Sequence, residues 1–349
     1  MLATAFAACV VVAASAPAFA GPIANATYKP LISAGALPDS PEARVDPNAP
    51  GSAYSGVVSL YIQYDGQGYI CSGALVGKRS VVSAGHCVDT DGNGSLIDIN
   101  APGNRVRVIF NVDGAYSSII TASKVSMHAD YKGFGNCPVG VDSFCLNDDI
   151  SVITLGEDAP AGAKIYKVAT NGMGEGTRIM MAGYGTSGDG TDGFYVDPEF
   201  DVKRTGQNYA DFYDLDDEEG FASGRQEVYY ADFDGAGRDT FCDYVGICSP
   251  VLANDVESGI GGGDSGGPSF VMLNGEMTLV ANNTFGSSFI YEDGQFGTYF
   301  GGMVLGSYAD YLSAATDGQV TLVPEPGSLM LFGLGALALA GVRRRRSAK

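Results

Sequence analysis

The chain has 349 residues, 45% of them apolar, with 50 glycines and no tryptophan. Its 20 basic and 40 acidic residues give a net charge of −20, a surface that repels nucleic acid and anionic membranes and so excludes a role built on either. The apolar content is enough for a sizeable core, and abundant glycine with few long runs of helix formers favours short strands and turns.

Residues 1–20, "MLATAFAACVVVAASAPAFA", are uncharged and end in Ala18-Phe19-Ala20. This is the small-x-small cleavage pattern of a signal peptide, although no Lys or Arg opens it. Residues 21–53 are rich in Pro, Ala, Ser and Gly and read as a leader or extended arm. From Gly56 short β-branched runs follow: "GVVSLYIQY", "YICSGALVG", "RSVVSAGHC", "NRVRVIFNV" and "DISVITLG". A second set comprises "AKIYKVA", "RIMMAGYG", "QEVYYADF", "GPSFVML", "MTLVANNTFG" and "FGTYFGGMVL". Two groups of about six strands imply two β-barrels or sandwiches, over 54–162 and 163–315. The acidic stretch 187–224, containing "DFYDLDDEEG", reads as an insertion or functional loop. Helix signals are confined to "SYADYLSAAT".

The tail, 323–349, begins Val323-Pro324-Glu325-Pro326, continues with an apolar run from Leu329 to Val342 and closes with Arg343–Arg346. The run is short for a bilayer span of roughly 17–25 residues, and the arginine block would act as a cytoplasmic stop. A plain transmembrane anchor is one reading. The three parts in this order also resemble the PEP-CTERM sorting signal of Gram-negative bacteria. That resemblance implies export across the inner membrane, recognition by exosortase-type sorting machinery, and a cell-surface, matrix or secreted destination, with membrane contact only through the tail before processing.

Seven cysteines become six without Cys9: Cys71, Cys87, Cys137, Cys145, Cys242 and Cys248. An even number in an exported chain reads as disulfides. The close pairs Cys137-Cys145 and Cys242-Cys248 suggest local staples, although six cysteines allow 15 pairings. A metal site is the weaker reading, since no C-x-x-C occurs.

There are two histidines, so the search for a general base is short. His86 stands in "VVSAGHCVD" and His128 in "VSMHADY". Three segments belong together: "CSGALVGKRSVVSAGHC" (71–87), "LNDDISVITL" (146–155) and "GGGDSGGP" (261–268). In this order they resemble the chymotrypsin-like serine peptidases, from about Gly56 to Leu312. The resemblance implies an all-β fold of two Greek-key six-stranded β-barrels with a short C-terminal helix. It implies a serine-type endopeptidase acting on polypeptides, without a required cofactor. His86 would be the base, Asp149 its orienting carboxylate with Asp148 as the second choice, and Ser265 the nucleophile. The N–H groups of Gly263 and Ser265 would form the oxyanion hole. Cys71-Cys87 would pair, and His128 would be structural. A catalytically idle binding module on the same fold is the alternative.

The chain departs from this pattern in several places. Gly259 stands where an acidic pocket base would select Arg or Lys, and Gly286 and Gly297 stand in the pocket walls. An open pocket preferring apolar or aromatic side chains is therefore expected. Gly261 replaces a half-cystine, so the loop 261–263 is expected to be more mobile. Thr284 replaces a serine whose hydroxyl touches the catalytic carboxylate. No I-V-G-G start exists; "EARVDPNAP" lies about where an activating cut would fall, between Arg44 and Val45. Finally, "DTDGNGSLIDIN" (89–100) is similar to an EF-hand loop, with Asp89, Asp91 and Asn93 as ligands for a structural Ca2+, but Asn100 fills the place of its bidentate acid. An Asp/Gly/Asn surface turn is the competing reading.

Overall fold

A computed structural model describes residues 32–112, 115–134, 136, 146–171, 173–218 and 225–324. The expected signal peptide, the Cys137-Cys145 staple and the apolar tail lie outside these residues. Among the described residues no helix is long and apolar enough to cross a membrane.

The first half comprises β1 (Val57–Tyr64), β2 (Gln67–Gly77), β3 (Ser80–Ser83), β4 (Arg105–Val112), β5 (Ala115–Met127) and β6 (Ser151–Leu155). They close an antiparallel barrel in the order β1-β2-β3-β6-β5-β4. Strand alternation explains how two cores are fed at once. Val81 and Ile153 point into the barrel with Leu60, Leu75, Val108 and Phe110. Their neighbours Val82 and Val152 point out, into a seam shared with Tyr166, Tyr184, Phe270 and Leu279 of the second half. Strand β5 was not expected: its sequence "AYSSIITASKVSM" is too rich in Ser and Ala to show a clear apolar period.

The second half comprises β7 (Val168–Ala169), β8 (Thr177–Gly183), β9 (Ser187–Asp189), β10 (Gly193–Val196), β11 (Arg204–Ala210), β12 (Phe212–Leu215), β13 (Gln226–Asp232), helix α1 (Thr240–Val245), β14 (Pro268–Leu273), β15 (Glu276–Ser288), β16 (Thr298–Val304), helix α2 (Ala309–Ala315) and β17 (Leu322–Val323). Its main sheet has nine strands, with the path β11-β8-β14-β15-β16-β13-β12 and β7 and β17 added at the side. Helix α2 lies where the sequence placed it and buries Leu312 and Ala315 in the seam. Helix α1 was missed, yet its ends are marked: Asp239 caps the first turn by accepting from Cys242 N, and Gly246 closes it at φ +78°.

The stretch 187–224 requires correction. It is not one inserted loop: β11 pairs with β8 over seven residues. Its inward positions are Arg204, Gly206, Asn208 and Ala210, so an integral strand carried almost no apolar signal.

The arm before β1 is pinned rather than extended. Pro41–Arg44 forms a 3-10 turn. Arg44 pairs with Asp39 at 2.6 Å and donates to the carbonyls of Val256 and Glu257 at 3.0 and 2.8 Å. Asp46 pairs with the fully buried Lys203 at 3.0 Å. At the Arg44–Val45 bond the Arg44 side chain is buried, while Val45 is exposed.

Candidate active site

Strand β3 leads directly into Ala84-Gly85-His86, and the Cys71–Cys87 disulfide ties the next residue to β2. Across from it, the segment before β6 presents Asp149, which is 0% exposed. Ser151 Oγ donates to Ala84 O at 2.7 Å and holds the two segments together. Both carboxylate oxygens of Asp149 engage His86. Oδ2 lies 2.7 Å from Nδ1, and Oδ1 accepts from the His86 backbone N–H at 2.7 Å. A carboxylate on Nδ1 assigns the proton there and leaves Nε2 as the basic nitrogen. The ring packs beside Phe134 with centroids 5.2 Å apart.

The loop 259–267 comes from the second half and clamps onto β2. Ser72 N donates to Ser265 O at 2.8 Å, and Ser72 Oγ donates to Gly263 O at 2.9 Å. Ser265 O lies 3.7 Å from Cys87 Sγ, which puts the serine segment against the His86–Cys87 corner. Glycine is required at two places. Gly263 has φ +101°, and Gly266, at φ +78°, approaches Ser83 so closely that a Cβ would fall 2.0 Å from its Oγ. The Gly266 and Gly267 N–H groups donate to Asn283 O and Asp264 O. Among the described residues, those of Gly263 and Ser265 have no internal acceptor.

Nor is the 261–263 segment loose. Gly261 N donates to Asp264 Oδ2 at 2.9 Å, Gly185 N to Asp264 Oδ1 at 2.8 Å, and Thr186 N to Gly262 O at 2.7 Å. These bonds replace the missing disulfide, and Thr186 O leaves no room for a side chain at 261. Asp264 is fully buried; burial pushes its carboxyl up to about 7, against the lowering effect of the two N–H donors and Arg204.

The three pocket glycines differ in their surroundings. At Gly286 a Cβ would have nothing closer than Tyr299 O at 3.9 Å. The Gly259 position faces the Phe233 ring at 3.4 Å, and Phe233 packs against Phe296 with the rings tilted by 45°. Gly297 is not open: the Tyr291 ring occupies the place a Cβ would take. Arg238 lies over that ring, 4.3 Å from its centroid. Neither Phe233 nor Tyr291 stood out in the sequence, because both act from loops whose path no local signal gives.

Asp148 does not compete for His86. It lies 2.9 Å from Nδ1 of His128, whose ring sits between Tyr308 and Tyr311. Thr284 is buried with no partner for its hydroxyl; Asn282, which the sequence did not single out, donates instead to Asp149 O and Ser83 O. The 89–100 loop uses its own carboxylates on its own backbone. Asp89 accepts from Asp91 N, Gly94 N and Ser95 N, and Asp91 accepts from Asn93 N and Ser95 Oγ. That is the arrangement of a hydrogen-bonded Asx turn. Asn93 joins Asn136 across to the neighbouring loop. The staple Cys242–Cys248 is formed.

Comparison with known families agrees with this architecture. The Trypsin family matches residues 46–198, a span that contains His86 and Asp149. The PEP-CTERM protein-sorting motif matches residues 322–346. Human "Serine protease 1" is 28% identical over 127 residues, covering 36% of this chain and 44% of that protein. The chain thus spans under half the length of this curated relative. Together with the closed barrel and the second sheet, these matches make residues 46–198 similar to the Trypsin family and residues 322–346 similar to the PEP-CTERM sorting motif.

Proposed function

We propose that the chain is an exported serine endopeptidase. The observation that supports this most is the grip of a fully buried Asp149 on His86, through both carboxylate oxygens, beside the loop that carries Ser265. In this reading His86 Nε2 takes the Ser265 hydroxyl proton as Oγ adds to the scissile carbonyl. The same proton then goes to the leaving amine, giving the acyl-enzyme, which water hydrolyses by the reverse sequence. Asp149 holds the imidazole in one tautomer and stabilises its cation. The Gly263 and Ser265 N–H groups receive the developing oxyanion, a contribution of about 100–1,000-fold per donor.

The lining favours an apolar or aromatic P1 side chain. Gly259 brings no charge, and Phe233 and Tyr291 bring aromatic faces. The 1–20 segment directs export, and the tail hands the protein to an exosortase-type machinery for release or surface attachment. Tyr291 on Gly297 supports a second reading, an idle binding module with a filled pocket.

Fluorophosphonate labelling followed by peptide-library cleavage tests both readings. Wild type should label and cleave after apolar residues, and Ser265→Ala should do neither. Absence of labelling selects the idle module; cleavage strictly after Arg or Lys removes the specificity claim.

A further inference from the structure

The segment between β13 and the serine loop gathers carboxylates that the proposed chemistry does not use. Asp232 ends β13, Asp234 follows Phe233, and Asp239 caps α1. The Gly235 and Arg238 backbones bond to each other in both directions, at 3.1 and 2.9 Å. This tight turn folds residue 239 back over residues 232 and 234. The Cys242–Cys248 disulfide then fixes the helix.

One carboxylate oxygen from each of the three lies within 4.8 Å of the others. Two oxygens bound to one calcium ion at about 2.4 Å each are at most about 4.8 Å apart, so this spacing fits a shared ion. Two of the three carboxylates accept backbone hydrogen bonds. Asp232 Oδ2 accepts from Phe241 N at 2.7 Å, and Asp239 Oδ1 accepts from Cys242 N at 2.9 Å. Asp234 is different: it is 6% exposed, and its Oδ1 is buried with no hydrogen-bond partner. A buried, unpartnered carboxylate oxygen is costly unless it meets a cation or a proton.

No basic side chain compensates. Among the described residues none of the ion pairs includes Asp232, Asp234 or Asp239. Two further acids add to the charge. Asp211 accepts from Asp232 N at 3.1 Å, and Glu257 accepts from Leu252 N at 2.9 Å.

We propose that Asp232, Asp234 and Asp239 form a binding site for a hard divalent cation of the calcium class. The donor set is all oxygen, which suits calcium rather than zinc or copper. The ion would neutralise the acids that flank Phe233, the residue behind Gly259, and would brace the loop that leads to Ser265. The site is distinct from the 89–100 turn, and its test requires no hydrolysis.

The full chain is stripped with EGTA and its melting temperature is followed as calcium chloride is raised to about 10 mM, the range of extracellular sites. Magnesium chloride is run in parallel, and calorimetric titration reads stoichiometry. One calcium should bind, raising the melting point by about 3–6 °C at ten times Kd, with a smaller effect from magnesium. Asp234→Asn should fold, melt no lower than the stripped wild type, and lose the calcium response. Asp239→Asn keeps the helix cap and serves as the second variant, with the same loss expected. Asp91→Asn should retain the full response. No shift in wild type overturns the proposal. So does a shift that survives Asp234→Asn and Asp239→Asn but disappears in Asp91→Asn, which would place the ion in the other loop. A changed P1 preference in Asp234→Asn without any calcium binding overturns it as well, by making the acids part of the substrate pocket.

Discussion

Asp148 and Asp149 are neighbours in the chain, and each holds a histidine. The two pairs differ in almost everything else. Asp149 is fully buried and bonds His86 through both oxygens, which leaves Nε2 outside the pairing. Asp148 sits at φ +62°, which turns its side chain to the other side of the segment, where it meets His128 at 2.9 Å. At that distance the contact favours the protonated imidazole. Tyr308 and Tyr311 flank His128, and Tyr308 OH ties the network together by accepting from Asp148 N and donating to Glu227. In the proposed function one pair serves the Ser265 hydroxyl, while the other is enclosed by ring faces. Residue type and spacing are shared; surroundings separate chemistry from structure.

The largest effects should fall on one pair alone. His86→Ala or Ser265→Ala should lower kcat by about 10⁴–10⁶, and Asp149→Asn by about 10⁴, through loss of the correct tautomer. Asp148→Asn and His128→Gln should cost less than about tenfold in kcat. Steady-state kinetics on one peptide substrate compares all five variants, and a loss at Asp148 equal to that at Asp149 would erase the distinction.

Stability should show the reverse order. Tyr308→Phe removes the acceptor of the Asp148 N–H and the donor to Glu227 Oε1, and should cost about 1–3 kcal/mol in urea unfolding. The pH dependence carries a sign. At His128, burial lowers the affinity for a proton, but pairing with Asp148 and the charges of Asp130 and Glu227 outweigh it, so its pKa is raised. A group raised in the folded state contributes stability below its unfolded value near 6.5 and loses it as pH rises through the folded value. Glu227, raised by burial and by Asp148 to about 7, acts in the same direction, losing its contribution between about pH 4.5 and 7. Unfolding midpoints should therefore fall between pH 5 and 8, and His128→Gln or Glu227→Gln should flatten that fall. A rise with pH would contradict the assignment.

The smallest change is expected at Thr284. Its hydroxyl is buried without a partner, so Thr284→Val should leave stability unchanged or slightly higher and kcat within about threefold. A hundredfold loss would show that the hydroxyl serves Asp149 during turnover.

Much of the scaffold was legible. The strands carrying Val57–Tyr64, Ser80–Ser83 and Ser151–Leu155 announce themselves by β-branched runs between turn residues. Strands β5 and β11 do not: β5 buries only Ile120, Ala122 and Val125 among exposed or half-buried Ser and Thr, and β11 buries Arg204, Gly206, Asn208 and Ala210. The short helix α1 carried its cap and its glycine, yet six residues leave no room for a periodic face.

The sequence by itself determined the parts with local chemistry: the segments around His86, Asp149 and Ser265 in their order, the 242–248 staple, and the PEP-CTERM motif. These are legible because each depends on residues close together in the chain. Only the tertiary structure decided which aspartate faces which histidine, that Tyr291 covers Gly297, that Arg44 is buried against residues 256 and 257, and that three aspartates share one small space. Each of these depends on backbone turns and on contacts between distant segments, which composition and spacing do not encode one residue at a time.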